Sequence, residues 1–162
     1  MNLAAITVLN NKNHILPLHT DKEQTIALLE VGDPGETDAL AKQLSRYTSL
    51  ARFSLRANQT EEKNQRLRDS LSTYKRIIVA VSEQRLAPYQ PFFAKFVPES
   101  PAIYLFFTPG KMMLQIQRAV AHASAVVLGH SYSSDVQRQV ADVLFAKASA
   151  CLLYTSPSPR DS

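Results

Sequence analysis

A single cysteine, Cys151, stands in a chain of 162 residues, so no intramolecular disulfide can form. Long apolar runs are missing too. The longest, IIVAV (77–81) and AIYLFF (102–107), are far too short to cross a bilayer. The first residues do not join a basic segment to a long apolar stretch in the manner of a secretory signal, and no address is written in the sequence. Glycine is scarce, at four residues, and neither GxGxxG nor the P-loop pattern GxxxxGK occurs. That removes the usual dinucleotide and nucleoside-triphosphate signatures. Charge of one sign does not dominate either. The net charge is +4 and the pI about 9.3, too mild by itself to imply nucleic acid.

What is present is the composition of a globular chain, 45% hydrophobic and 20% charged. The length suits one domain, able to bury roughly two-thirds of its unfolded surface. Basic residues gather only at Lys63, Arg66, Arg68, Lys75 and Arg76, interleaved with Glu61, Glu62 and Asp69. This mixture reads as a solvated helix face rather than a phosphate-binding stripe.

Five short apolar runs recur at nearly even spacing: TIALLEVG (25–32), SLARFSLR (49–56), RIIVAVSE (76–83), PAIYLFFTP (101–109) and AVVLGHS (125–131). The last three are almost continuously apolar, which suits strands buried on both faces of a parallel sheet. SLARFSLR alternates and is expected at or near an edge. Helical periods lie between the runs. ETDALAKQLSRY places Leu40, Leu44 and Tyr47 on one stripe. TEEKNQRLRDSLSTY begins with Thr60 as an N-cap and acids in the first turn. YQPFFAKFV is short and aromatic, and KMMLQIQRAVAHA is longer. SSDVQRQVADVLFAKASA is capped by Ser133 or Ser134 and buries Val136, Val140, Val143 and Leu144. Strand and helix alternating in this way predict an α/β three-layer sandwich. Its sheet is mostly parallel and five-stranded, with helices on both faces, as in Rossmann and flavodoxin-like folds. The first 20 residues stand apart as a lead-in, with a short helical stripe through Leu3, Ile6 and Leu9, then a turn, then HILPL.

Ligands of open α/β sheets bind beyond the carboxyl ends of the strands. After the first run comes VGDPGETDAL. Gly32 and Gly35 there are the nearest approach to an anion-binding turn. Asp33 and Glu36 lack the Asp at the end of the third strand that a phosphoacceptor site needs; that end reads VAVSEQR. His130 and Ser131 close the fifth run, but a Ser-His couple needs an orienting acid and an oxyanion hole, and no GxSxG elbow is present. His130 is therefore read as packing against a neighbouring loop. His14, His19 and His122 are too dispersed to suggest a metal site. Tyr89, Phe92, Phe93 and Phe96 have the spacing of a core-facing stripe, and Met112 and Met113 read as core filler. Catalytic, cofactor-binding and metal-binding residues are accordingly all assigned as none.

The segment AITVLNNKNHILPL resembles the lead into the second, α/β domain of glycoside hydrolase family 3 enzymes. There a small helix is followed by "LLKN" and "N-LLPL", and Thr7 to Leu18 follow the pattern closely. SSDVQRQVADVLFAKASA is similar to the same domain's last helix. The middle, from PYQPFFAKF through AIYLFFTPGK to AVVLGHS, resembles the β-N-acetylhexosaminidase-like branch that is fused to a serine β-lactamase-like domain in Bacteroidota. The resemblance covers about residues 3 to 150. It implies a bacterial parent glycosidase, β-N-acetylhexosaminidase or β-glucosidase in type, of periplasmic or cell-envelope habit. A preceding (β/α)8 barrel would carry the nucleophilic Asp, and in the hexosaminidase-like branch also an acid/base His. In the glucosidase-like branch a second-domain Glu is the acid/base, but SEQRLAPYQ lacks the Glu-Gly-Asp-Arg-type pattern, so Glu83 receives no catalytic role. The implied layout is a lead-in over 1–20, a non-catalytic α/β domain over 21–150, and a tail over 151–162. The tail, CLLYTSPSPRDS, looks like translated adapter or vector sequence. The implied partners are the barrel and its carbohydrate substrate, with no cofactor, nucleic acid or membrane span. A domain parted from its barrel is also expected to expose an apolar patch. The alternative is a free-standing flavodoxin-like or nucleotide-binding module.

Overall fold

The computed structural model describes residues 6–107 and 122–152. The helix expected over KMMLQIQRAVAHA, with Met112 and Met113, falls almost wholly outside them, as does the tail from residue 153. The strands are β1 (Thr7–Asn11), β2 (Asp21–Val31), β3 (Thr48–Leu55), β4 (Ile77–Val81), β5 (Ile103–Phe106), β6 (Ala125–Leu128) and β7 (Cys151–Leu152). The helices are α1 (Asp38–Leu44), α2 (Glu61–Leu71), α3 (Gln90–Glu99) and α4 (Ser134–Leu144).

The strands form a single sheet in the order β3-β2-β4-β5-β6-β1-β7. The five expected strands are β2 to β6, and they are mutually parallel. The sheet nevertheless has seven. β1 adds to β6 in the antiparallel sense, Thr7 opposite Leu128 and Asn11 opposite Ala125, with a bulge between Val8 and Asn10. The helical stripe expected through Ile6 and Leu9 is therefore a strand. Its apolar residues fit either period over so short a run, and pairing with β6 decides. β7 pairs in parallel with β1, Thr7 beside Cys151, and the Cys151 amide donates to the Ile6 carbonyl (2.8 Å).

Continuous apolar strands feed two cores, because alternate side chains leave opposite faces. On β4, Ile78 and Ala80 point to one layer and Ile77, Val79 and Val81 to the other. The first layer is α1 and α4, with Leu40, Leu44, Val140 and Leu144 fully buried against Ile26, Leu28, Leu105 and Val127. The second is α2 and α3, whose Leu71, Phe92 and Phe96 cover Leu29, Val79 and Tyr104. Each such aliphatic or aromatic burial contributes about 1.5–3 kcal/mol. β3 pairs only with β2 and is half exposed along its length, as its alternation predicts.

Local signals place the helices. Thr60 Oγ1 accepts from the Lys63 amide (3.2 Å), with Glu61 and Glu62 in the first turn of α2. Ser133 Oγ accepts from the Val136 amide (3.3 Å) and starts α4. The basic face of α2 differs from expectation at one residue. Arg66 is solvated beside Glu62, but Arg68 is only 6% exposed. Its guanidinium lies over the Phe92 ring, donates to the Phe92 carbonyl (3.2 Å) and pairs with Glu61, joining α2 to α3. Lys95 reaches the same carboxylate (3.0 Å), and the two cations hold Glu61 below the usual carboxylate range.

Candidate functional site

The chain leaves β2 for β3 on one side and later returns to β4 on the other. The turns after β2 and β4 thus meet at the carboxyl edge where strand order reverses. The ladder runs on past the strands. The Ser82 amide donates to the Val31 carbonyl (3.0 Å), Phe107 to Val81 (2.9 Å) and Gly129 to Phe106 (2.8 Å). Ser82 is thereby set against Gly32. A Cβ on Gly32 would stand 2.2 Å from Ser82 Oγ and 2.9 Å from Glu36 Oε1, and its φ of +144° also favours glycine. The Ser82 hydroxyl donates to Glu36 Oε1 (2.6 Å), which accepts the Asp33 amide as well (3.2 Å). The glycine turn considered for anion binding therefore already holds an anion, the Glu36 carboxylate. A phosphate there would meet like charge and a spent amide.

Gln137, 2% exposed on α4, ties this turn to the loop after β6. Its Oε1 accepts the Leu40 amide (2.9 Å), and its Nε2 donates to the carbonyls of Glu36 and Tyr132 (both 2.7 Å). The Thr37 hydroxyl, at the N-cap of α1, does not cap its own helix and donates instead to Glu30 (2.7 Å). Gln137 supplies the missing acceptor from another helix. Glu30 and Asp38 both accept from Arg52, which raises the Arg52 pKa further and leaves that cation neutralised at the rim.

Between these loops opens a cleft of about 640 Å³, lined by Glu36, Gln84, Phe107, His130, Tyr132 and Ser133 among others. Tyr132 is 48% exposed at its mouth. No Lys or Arg lines it among the described residues. An aromatic face, amides, hydroxyls and the carboxylates of Glu36 and Asp38 are groups suited to a neutral, hydroxylated ligand.

The residues singled out from sequence separate. His130, at φ 65°, has its Nε2 beside Thr7 Oγ1 (3.4 Å), while the Ser131 hydroxyl sits with that of Ser133 (3.4 Å). They form no Ser-His couple. Glu83 accepts from the Tyr89 hydroxyl and the Arg85 amide (3.4 Å each) and does not line the cleft. Burial and the Glu83 charge raise the Tyr89 pKa. Tyr89, Phe92 and Phe96 are buried in the second core, as their spacing predicts. His14, His19 and His122, far apart in sequence, line one cleft at the opposite edge of the sheet. No cluster able to hold a metal ion occurs among the described residues. The expected apolar patch is not found among them either. Tyr132 and Leu152, 48% and 52% exposed, are the exposed large hydrophobic residues there, because the two helix layers cover the aliphatic faces. The composition of the cleft wall was not legible in sequence, since Gln84, Tyr132 and Gln137 carry no motif.

No protein-family model matches the sequence, and comparison with curated proteins finds no significant match. Solved structures do share the fold. A fungal multi-domain family 3 β-N-acetylglucosaminidase superposes with a TM-score of 0.68 at 14% identity, covering 94% of this chain and 18% of that one. A family 3 β-N-acetylglucosaminidase from Paenibacillus sp. str. FPU-7 gives 0.63 at 17% identity, covering 90% and 29%. A family 3 exo-β-xylosidase gives 0.57 at 14%, covering 88% and 22%. The class is therefore an α/β sandwich of the kind found inside larger chains. Those larger chains are glycoside hydrolase family 3 enzymes, each matched over only 18–29% of its length, and at 14–17% identity the likeness is one of fold.

Proposed function

We propose that this chain is the α/β domain of a family 3 glycoside hydrolase. In the parent it packs on a catalytic (β/α)8 barrel and helps shape the rim of the sugar site, without supplying a catalytic group. The carrying observation is the lopsided coverage: 94% of this chain against 18% of the neighbour with a TM-score of 0.68. The cleft at the carboxyl edge supports the rim role, since its exposed Tyr132 and its hydroxyl, amide and carboxylate groups suit a sugar ring. The non-catalytic role is supported by the separation of His130 from Ser131 as a couple and by Glu83 turning to Tyr89. The parent would release a terminal β-linked N-acetylhexosamine or a similar glycoside. The proposed layout is a lead-in over 1–20 whose strand β1 joins the sheet, the domain over 21–150, and a non-native tail over 151–162 whose first two residues pair with β1.

The test is hydrolysis of 4-nitrophenyl N-acetyl-β-glucosaminide by the purified chain, alone and with a family 3 barrel supplied in trans. The chain alone is expected to match buffer. Cleavage by the chain alone would refute the non-catalytic role.

A further inference from the structure

The amino edge of the sheet carries a second cleft, of about 590 Å³, that the proposed function does not use. Lys12, His14, His19, Arg76 and His122 stand around it, and no Asp or Glu does among the described residues. They arrive from three distant places: the turn and segment after β1, the residue before β4, and the approach to β6. An adjoining cleft shares Ile15, Arg76, Pro101 and Ser124 and adds Lys75 and one acid, Glu99. Arg76 is half-buried, and no hydrogen bond or ion pair engages its guanidinium among the described residues.

The turn that presents His14 is held in an unusual shape. Asn13 and His14 have φ of 57° and 52°, the left-handed region that non-glycine residues seldom occupy, and never cheaply in succession. Asn11 fixes it from below. Its Oδ1 accepts the Leu16 amide (2.9 Å), its Nδ2 donates to the Leu16 carbonyl (3.1 Å), and the Ile15 amide donates to Lys12 (3.2 Å). Backbone outliers of this kind gather where a ligand is held.

We propose that this cleft binds a tetrahedral oxyanion, a phosphate or sulfate group, carried on a small molecule of about monosaccharide size. A guanidinium fork matches such an anion with two parallel hydrogen bonds. Lys12 and Arg76 together disfavour a metal cation among the imidazoles. The volume is that of a small-ligand site and exceeds the need of a bare ion.

The test titrates the full chain with sodium sulfate against chloride at matched ionic strength. Saturable binding is expected, about tenfold weaker in Arg76→Gln. The ring-proton shifts that accompany it should be confined to His14, His19 and His122. Glucose 6-phosphate against inorganic phosphate near pH 8, where both are dianions, separates the sources in a second arm: a tighter ester means an ester ligand, equal affinity means a free oxyanion. No saturable binding overturns the proposal. So does binding unchanged by Arg76→Gln. Because the clefts lie at opposite edges, a failure here leaves the glycosidase reading standing.

Discussion

Replacing Gln137 by Leu removes three hydrogen bonds while nearly keeping the volume. The cost can be worked from what is left behind. The Leu40 amide, in the first turn of α1, has no other acceptor in its own helix, because the Thr37 side chain makes no cap bond. Leu40 is 0% exposed, so its N–H would be buried unpaired, at about 1–3 kcal/mol. The carbonyls of Glu36 and Tyr132 sit at a half-exposed and an exposed residue and can regain water, so each loses only about 0.5 kcal/mol. The sum is about 3 kcal/mol. For a domain of this size that lowers Tm by about 6–12 °C. Urea unfolding reads the free energy, and native-state amide exchange reads the site, since Leu40 should lose protection before the core strands do. A Gln137→Leu variant within about 0.5 kcal/mol of the parent, with Leu40 protection unchanged, would refute the cap supplied across helices.

Gly32→Ala should destabilise by about 3 kcal/mol, from a 2.2 Å approach to Ser82 Oγ and a φ of +144°. Adding Ser82→Ala should recover part of that loss in chemical denaturation, and the absence of any recovery would reject the steric account. Among the described residues the buried Tyr104 hydroxyl has no hydrogen-bond partner, so Tyr104→Phe should be neutral or stabilising by about 1 kcal/mol. Burial raises the Tyr104 pKa above its ordinary 10.0. Above that pH the unfolded chain loses a proton the folded chain keeps. Tyr104 therefore lowers stability as pH rises through 10, and Tyr104→Phe should flatten the alkaline limb of a stability–pH curve.

Much of the fold was legible because burial imposes it locally. Val79 and Ile78 serve opposite cores, and only a strand covered on both faces needs that continuous run. Thr60 and Ser133 announce their helices by chemistry confined to four residues. β1 was not legible. Asn10 and Asn11 weaken it as a strand, and its place depends on β6, more than a hundred residues away. β7 is two exposed residues held by β1 alone, which leaves no periodicity to read. The histidines show the same limit from the other side. Distance along the chain made His14, His19 and His122 look unrelated, whereas a parallel sheet gathers the starts of its strands at one edge. Arg68 looked solvated because its spacing matched its neighbours, and only the docking of α3 buries it.

The central claim is that this domain belongs to a larger glycosidase. The most direct test is to read the source DNA outward from the codons for Met1 and Ala150. The account predicts one open frame, with a (β/α)8 barrel encoded upstream and a further strand of the α/β domain in place of CLLYTSPSPRDS. An in-frame stop just upstream of Met1, with CLLYTSPSPRDS and a stop confirmed downstream, would contradict it.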